Sequence, residues 1–300
     1  MRLGVDFGGT KIEAALLDSE GEIVARQRVP NPGDYRAAVA AVAALTGRIE
    51  SEAGGRAQTV GVAMPGSLSA VTGLVRNSNS TWLNGKPFLE DLNAALARPV
   101  RVENDANCFA LSEAVDGAAA GRRVVFGAIF GTGCGGGVVV DGRIVEGVNG
   151  IGGEWGHLPL PWMRADEAPV RCWCGRMNCL ETWLSGSGFK RWSAMSARDA
   201  EEARRAGDAR AAVLLDALAD KMARALALVM NIIDPDVIVF GGGVSNIDWL
   251  YPSVRGKLIA HAFTDKVDTL VVKNRHGDSS GVRGAAWLFG ADGEASAHLQ

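Results

Sequence analysis

The chain has no surplus of basic charge. Its 31 Lys and Arg stand against 34 Asp and Glu, a formal net charge of −3. Proteins that coat nucleic acid or anionic membranes carry a basic excess, so neither partner is expected here. It also lacks a long apolar run. The best candidate, residues 222–233, is interrupted by Arg224 and falls far short of the ~20 apolar residues a membrane-spanning helix needs. The start, MRLGVDFGGTK, has neither the apolar core nor the cleavage site of a signal peptide. A disulfide framework is missing too. The five cysteines are Cys108, Cys134, Cys172, Cys174 and Cys179, an odd number with three crowded into eight residues. That suits a metal site in a reducing compartment better than a set of bridges, so a cytoplasmic location is expected. With 47% hydrophobic and 22% charged residues, disordered, collagen-like and coiled-coil chains are excluded.

Glycine is what the chain has in plenty. Its 39 glycines exceed average usage of about 7%, and they cluster rather than repeat. Clustered glycine lets backbone approach a ligand without Cβ obstruction. A length of 300 residues sits at the limit of one core, roughly 250–300 residues, so two lobes are expected.

Leu3, Val5 and Phe7 alternate as a strand, and Gly8-Gly9-Thr10-Lys11 breaks the run. Residues 12–17 form a second apolar run, and residues 22–29 a third strand after a polar turn. Tyr35–Ala53 reads as an Ala-rich helix closed by Gly54-Gly55. Residues 59–64 and 100–103 read as further strands, the second leading through Asn104-Asp105, an Asx N-cap pair, into a helix over 106–120. The order then starts again. Val124–Phe130 is apolar, Gly131-Thr132-Gly133-Cys134-Gly135-Gly136-Gly137 interrupts, and residues 138–140 and 143–145 follow as strands. Phe7-Gly8 and Phe130-Gly131 stand 123 residues apart, so two related halves facing a cleft are expected. Residues 209–233 have helical periodicity, 237–240 form a buried strand before Gly241-Gly242-Gly243, and a helix follows from about Asn246. Residues 269–273 read as a last strand, 281–289 as a last helix, and 290–300 as a fraying end.

Three glycine turns at strand ends point to a polyphosphate ligand. In Asp6-Phe7-Gly8-Gly9-Thr10-Lys11, backbone N–H groups, a hydroxyl and an ammonium lie together, with Asp6 placed to hold Mg²⁺ directly or through water. An ordinary hairpin is the plain alternative for that segment alone. Gly131-Thr132-Gly133-Cys134-Gly135-Gly136 satisfies G-x-G-x-x-G, yet strand rather than helix follows, so the dinucleotide reading fails on context. Gly241-Gly242-Gly243 lacks the Lys-Ser/Thr pair of a P-loop. Together the three favour a nucleotide over three coincidental hairpins.

His157 with Cys172, Cys174 and Cys179 can close a tetrahedral Zn²⁺ shell, which makes a structural site. Buried free cysteines beside an unrelated histidine are the alternative, but the flanking Arg171, Gly175, Arg176 and Asn178 are not core residues. Asp105, Glu154 and Glu181 are carboxylates in polar segments. Asp105 is either the N-cap of its helix or a general base, and spacing alone leaves both open. Trp82, Trp155, Trp162, Trp173, Trp183 and Trp192 read mainly as packing residues, with room for one to stack on a ligand.

In combination these segments resemble the ROK family of bacterial sugar kinases, from Leu3 to Phe289. The resemblance is carried by Asp6–Lys11, Glu103-Asn104-Asp105-Ala106-Asn107, Gly131-Thr132-Gly133, Gly153-Glu154-Trp155-Gly156-His157, the Cys172–Glu181 segment and glycines 241–243. It implies an α/β fold of the actin-like ATPase (ribonuclease H-like) type. Such a fold would have a duplicated strand-rich core and a cleft between lobes 1–118 (joined by a C-terminal helix at 281–290) and 119–280, the latter with a zinc loop at 157–181. Asn79-Ser80-Thr81-Trp82-Leu83-Asn84-Gly85, Pro159-Leu160-Pro161-Trp162-Met163 and His276-Gly277-Asp278-Ser279-Ser280-Gly281 look like the fructokinases of that family. The resemblance therefore implies ATP-dependent phosphorylation of fructose at O6, with glucose or an N-acetylhexosamine as alternative acceptors.

By the same resemblance Asp105 is the catalytic base. Asn79, Asn104, Glu154, His157 and Glu181 hold the sugar. Asp6, Gly8, Gly9, Thr10, Lys11, Thr132 and Gly133 surround the phosphates of Mg-ATP, and Gly242 and Gly243 the adenosine. His157 serves zinc with one ring nitrogen and sugar with the other. Two positions depart from the family pattern: Asn178 replaces its usual Gly, and Leu158 stands where fructokinases tend to have Asn. Asn tolerates the left-handed backbone a Gly would adopt, so the loop is expected to survive. Repressors of the family carry a helix-turn-helix ahead of the phosphate loop, which has no room here. A homodimer is expected by analogy.

Overall fold

A computed structural model describes residues 1–290, and the expected frayed end falls largely outside the described residues. The first half runs β1 (Arg2–Phe7), β2 (Lys11–Leu17), β3 (Ile23–Pro30), α1 (Tyr35–Ala53), β4 (Val60–Met64), a small hairpin of β5 (Ser67–Leu68) and β6 (Val75–Arg76), α2 (Phe88–Leu96), β7 (Val100–Asn104) and α3 (Asp105–Val115). The second runs β8 (Val124–Phe130), β9 (Cys134–Val140), β10 (Arg143–Ile144), α4 (Glu181–Leu184), α5 (Gly186–Ser193), α6 (Ala197–Arg205), α7 (Ala209–Ile233), β11 (Val237–Gly241), α8 (Leu250–Leu258), β12 (Leu270–Lys273) and α9 (Ser280–Ala286).

The repeat seen in the sequence is a repeat of topology. One five-stranded sheet is ordered β3-β2-β1-β4-β7, the other β10-β9-β8-β11-β12. In each, two antiparallel pairs join two parallel ones, so strand directions match position by position. Each sheet has its own apolar core. Leu3, Val5, Phe7, Val42, Leu45, Phe88 and Leu92 pack on one side, and Phe126, Phe130, Phe240 and the α7 stripe Leu215, Leu218, Met222, Leu226 on the other. Each such buried side chain contributes roughly 1.5–3 kcal/mol.

The helices after the last strand of each sheet cross over. A Cβ on Gly4 or Gly61 would overlap the carbonyl oxygens of Val282 and Ala285, so α9 lies directly on β1 and β4. A Cβ on Gly127 would come 2.8 Å from the Ala110 Cβ, and one on Gly137 2.7 Å from the Ala106 carbonyl oxygen, so α3 lies on the second sheet. Gly4 and Gly127 stand at the same 123-residue offset as Phe7 and Phe130. Where α3 meets α9, Gly284 packs against the Cys108 carbonyl with no space for a side chain. The lobes are thus joined by two helices in backbone contact.

Some elements differ from the sequence reading. β9 begins at Cys134 rather than at residue 138, because Gly135–Gly137 are not breakers but bare strand: Gly135 and Gly137 let α3 approach one face and Gly136 lets Trp155 approach the other. α3 ends at Val115 rather than near residue 120. There Asp116 is held by His276, Arg283 and Trp287, and the Glu113 carboxylate accepts from the Ala118 N–H. After β11 a short helical turn, Gly243–Asn246, precedes α8. The irregular 159–171 segment is anchored by Arg224 of α7. That fully buried guanidinium donates to the Pro161 and Trp162 carbonyls at 2.9 Å and pairs with Glu167.

Candidate active site

The site is built from strand ends. After β1 the chain turns through Gly8–Thr10, closed by the Gly8 N–H on the Lys11 carbonyl at 3.0 Å. A Cβ on Gly9 would come 3.1 Å from Ser80 Oγ, so the loop carrying the exposed Asn79 lies over this turn. Asp6 faces Glu13 in register across β1 and β2. Glu13 is buried and clamped by Arg26 and Arg28. Burial, and then the charge of Glu13, push Asp6 up to about 6, with Lys11 and Arg28 opposing.

At the end of β7 the two Asx residues divide their duties. Asn104 is the N-cap, its Oδ1 accepting from the Ala106 and Asn107 N–H groups at 2.8 and 3.3 Å. Its Nδ2 donates to the Gly66 carbonyl at 3.1 Å. Asp105 is therefore not the cap. It begins α3 with its side chain open to the cleft, although protein surrounds it closely enough to raise the cost of its charge. Burial first, then Asp6 and Glu154, push its carboxyl up to about 7, against the Ala106 N–H that it also accepts. Glu103, to which the sequence reading gave no role, is pushed up to about 7 by burial and by Glu146.

In the second lobe the turn Gly131–Gly133 is closed by the Gly131 N–H on the Gly133 carbonyl at 3.0 Å. The Gly186 N–H, at the start of α5, donates to the Gly131 carbonyl at 2.8 Å. Gly242 has φ 80°, and a Cβ there would sit 2.5 Å from the Phe130 carbonyl carbon, so it is a position only glycine fills. These elements border a cavity of about 830 Å³ whose walls include Thr132, Ser187, Lys190, Gly243 and Asn246. That volume suits a small-molecule site of about 300–1,000 Å³. Ser187, Lys190 and Asn246 were missed in the sequence. Only the Gly186-Ser187-Gly188 triplet hinted at them.

The ligand atoms of His157, Cys172, Cys174 and Cys179 lie within 4.8 Å of one another. Cys172 Sγ is 3.8 Å from His157 Nδ1, and Cys174 Sγ is 3.6 Å from Cys179 Sγ. A tetrahedron with ~2.3 Å metal–sulfur bonds has edges of about 3.8 Å, whereas a disulfide would need ~2.05 Å. The four residues thus fit one tetrahedral ion. Asn178 takes φ 61°, as expected for the residue in place of glycine, and its Oδ1 accepts from the Val170 N–H at 2.7 Å. Beside the cluster, Glu181 opens α4. Its Oε2 accepts from the Cys134 N–H at 3.1 Å and its Oε1 from Trp173 Nε1 at 2.5 Å. Glu154 is exposed at the start of the short helical turn Trp155–His157.

Polar ties also span the lobes. Arg76 Nη2 donates to the Asn149 carbonyl at 2.5 Å, and Arg101 Nη2 pairs with Glu146 at 2.8 Å. Twin sheets of this topology, joined by crossed helices and with glycine turns at their strand ends, define the actin-like ATPase fold. The chain belongs to the ROK family, whose profile matches residues 2–292. It is 39% identical over 302 residues to the N-acetyl-D-glucosamine kinase of Haemophilus influenzae (strain 86-028NP), covering 96% of this chain and 99% of that one. The N-acetyl-D-glucosamine kinase of Vibrio cholerae (serotype O1, strain ATCC 39315 / El Tor Inaba N16961) is also 39% identical, over 300 residues, with the same coverage. Among solved structures, the ROK hexokinase of Thermus thermophilus superposes with a TM-score of 0.84 at 32% identity, covering 95% of this chain and 96% of that one. A ROK family glucokinase from Streptomyces griseus, in complex with glucose and AMPPNP, gives 0.77 at 26%, covering 96% and 98%. These relatives do not carry the fructose expectation. No helix among the described residues is long and apolar enough to cross a membrane.

Proposed function

We propose that this protein is an ATP-dependent sugar kinase whose acceptor is N-acetyl-D-glucosamine, phosphorylated at its 6-hydroxyl. One observation carries the catalytic half of that reading. Asp105 is spared from capping by Asn104 and sits in the cleft with its carboxyl raised to about 7, the range in which a carboxylate works as a base at neutral pH. The two relatives reported above support the acceptor, and they replace fructose with it.

Phosphoryl transfer asks the protein mainly to position the reactants and neutralise charge. Asp105 takes the proton of the attacking hydroxyl. Asn79, Asn104, Glu154, His157 and Glu181 hold the sugar from both sides of the cleft. Gly8, Gly9, Thr10, Lys11, Thr132 and Gly133 present N–H groups, hydroxyls and an ammonium to the phosphates, and Gly242 and Gly243 give the adenosine a bare backbone wall. Asp6 is the residue to hold Mg²⁺, which when bound neutralises phosphate charge. His157, Cys172, Cys174 and Cys179 are the residues to hold a structural zinc ion. With Nδ1 on the thiol side, the His157 ring keeps Nε2 for the sugar. The moving units are lobes 1–118 with helix 281–290, and 119–280, except that α3 goes with the second sheet on which it packs. ATP as donor fits a cytoplasmic setting.

A coupled assay with ATP and N-acetylglucosamine, glucose, mannose and fructose side by side tests this. N-acetylglucosamine is expected to lead in kcat/KM. Fructose in the lead would sink the acceptor assignment, and no turnover with any hexose would sink the kinase.

A further inference from the structure

Among the tryptophans, Trp173 stands apart. Trp155 and Trp183 are buried in the core, whereas Trp173 is 65% exposed and lies between two cysteines of the cluster. Its two ring contacts are with residues of the site. Nε1 donates to Glu181 Oε1 at 2.5 Å, and the ring meets the His157 imidazole edge-on, centroids 5.2 Å apart at 83°. One side chain therefore touches both residues that the second lobe offers to the sugar near the cluster.

We infer that Trp173 is a positioning residue for sugar binding, fixing the Glu181 carboxylate and the His157 ring in the arrangement the sugar hydroxyls meet. This deepens the kinase reading and rests on it.

The argument is one of freedom and anchoring. A glutamate has three rotatable bonds, and an ordered carboxylate needs partners at both oxygens. Here the backbone N–H of Cys134, the first residue of β9 after the second glycine turn, holds Oε2, and the indole N–H holds Oε1. Each carboxylate oxygen keeps a further lone pair for a sugar hydroxyl. The indole is itself anchored by its neighbours, since Cys172 and Cys174 are fixed within the cluster. The Cys-Trp-Cys loop thereby ties the cluster to the sugar through one N–H donor. Charge-assisted hydrogen bonds of this kind are the stronger ones, so their loss is measurable.

The test is calorimetric titration of N-acetylglucosamine into the zinc-replete protein, wild type against Trp173→Phe, which keeps an aromatic ring and deletes the donor. Sugar Kd and KM are expected to rise about tenfold. The KM for ATP, the zinc content and the thermal midpoint should stay unchanged, which a merely structural role would not allow. Trp173→His, which restores an N–H donor, should recover part of the affinity. In Glu181→Ala, which removes the acceptor, the further change Trp173→Phe should cost much less than in the wild type, because contacting residues couple. Unchanged sugar affinity in Trp173→Phe, or a full additional loss in the double variant, would overturn the inference while leaving the kinase intact. A wild type that binds none of the four hexoses would overturn the kinase reading and the inference with it.

Discussion

Replacing Asp105 by Asn should make the protein more stable and nearly inactive, and the gain should depend on pH in a set direction. Burial, Asp6 and Glu154 raise this carboxyl from the ordinary value of 3.8 to about 7. Between those values the folded protein binds more protons than the unfolded chain, so this residue's contribution to stability falls as pH rises from about 4 to 7. Three units at 1.36 kcal/mol each set a ceiling of about 4 kcal/mol. Because the side chain opens to the cleft, solvent screening cuts the figure to about 1–2 kcal/mol. Asn keeps the amide oxygen that accepts from the Ala106 N–H and removes the charge. Near pH 5 the folded wild type is still protonated here while its unfolded chain is already ionised, so over a third of the gain is present and the variant should melt only about 1 °C higher. Near pH 8 the variant should melt about 2–4 °C higher, at roughly 2 °C per kcal/mol for a chain of this size. Its kcat should fall about 10²–10⁴-fold, the usual yield of a general base. Differential scanning calorimetry at the two pH values, with a coupled assay, reads both. A melting difference that is flat or reversed with pH refutes the electrostatic account, and wild-type kcat refutes the base.

The wild-type kcat/KM should decline below about pH 7 as Asp105 takes up its proton, and a profile level down to pH 5 would speak against the assignment. Gly61→Ala drives a methyl group into the Ala285 carbonyl and should cost at least about 3 kcal/mol or prevent soluble expression; a cost under 1 kcal/mol would mean that α9 can lift from the sheet. Asn178→Gly keeps the backbone but gives up the bond from the Val170 N–H and should cost about 1 kcal/mol, whereas Asn178→Val must also strain its backbone at φ 61° and should lower both the midpoint and the zinc content further. A strong chelator should remove one zinc per chain, with a lower midpoint that zinc restores, and chelation without effect on the midpoint would exclude a structural ion.

What was legible in the sequence is what backbone geometry forces. The glycine turns, the duplication and the failure of the dinucleotide pattern could be read because glycine, strand and turn leave local signatures. The 123-residue offset even places Gly4 and Gly127, although their reason, close approach of a helix, is visible only in three dimensions. The same glycines misled the reading of β9, where Gly135–Gly137 looked like a break. Asn104 and Asp105 could not be told apart as caps, since both side chains can accept from the first N–H groups of a helix. The Glu167–Arg224 pair spans 57 residues and joins an irregular segment to a long helix, so no local pattern announces it. The acceptor was least legible of all, because it is set by a few side chains around a shared backbone.

The two halves copy each other's backbone but not their charge, and this bears on how the site works. In the first hairpin Asp6 faces Glu13 in register, and in the second the matching pair is Ile129 and Gly135. The first sheet thus brings acid to the cleft while the second brings bare backbone. Asp105, at the start of α3, lies where a helix dipole would stabilise its charge by about 0.3–1 kcal/mol. Against that, burial and the charges of Asp6 and Glu154 raise its carboxyl. In the first turn a cation held by Asp6 would offset its charge toward phosphate, and the second turn, with Ile129 in that place, needs no such counter-ion. The asymmetry concentrates acid around Asp105 at the first sheet, while at the second turn the acid comes from outside the sheet, as Glu181 of α4 on the Cys134 N–H.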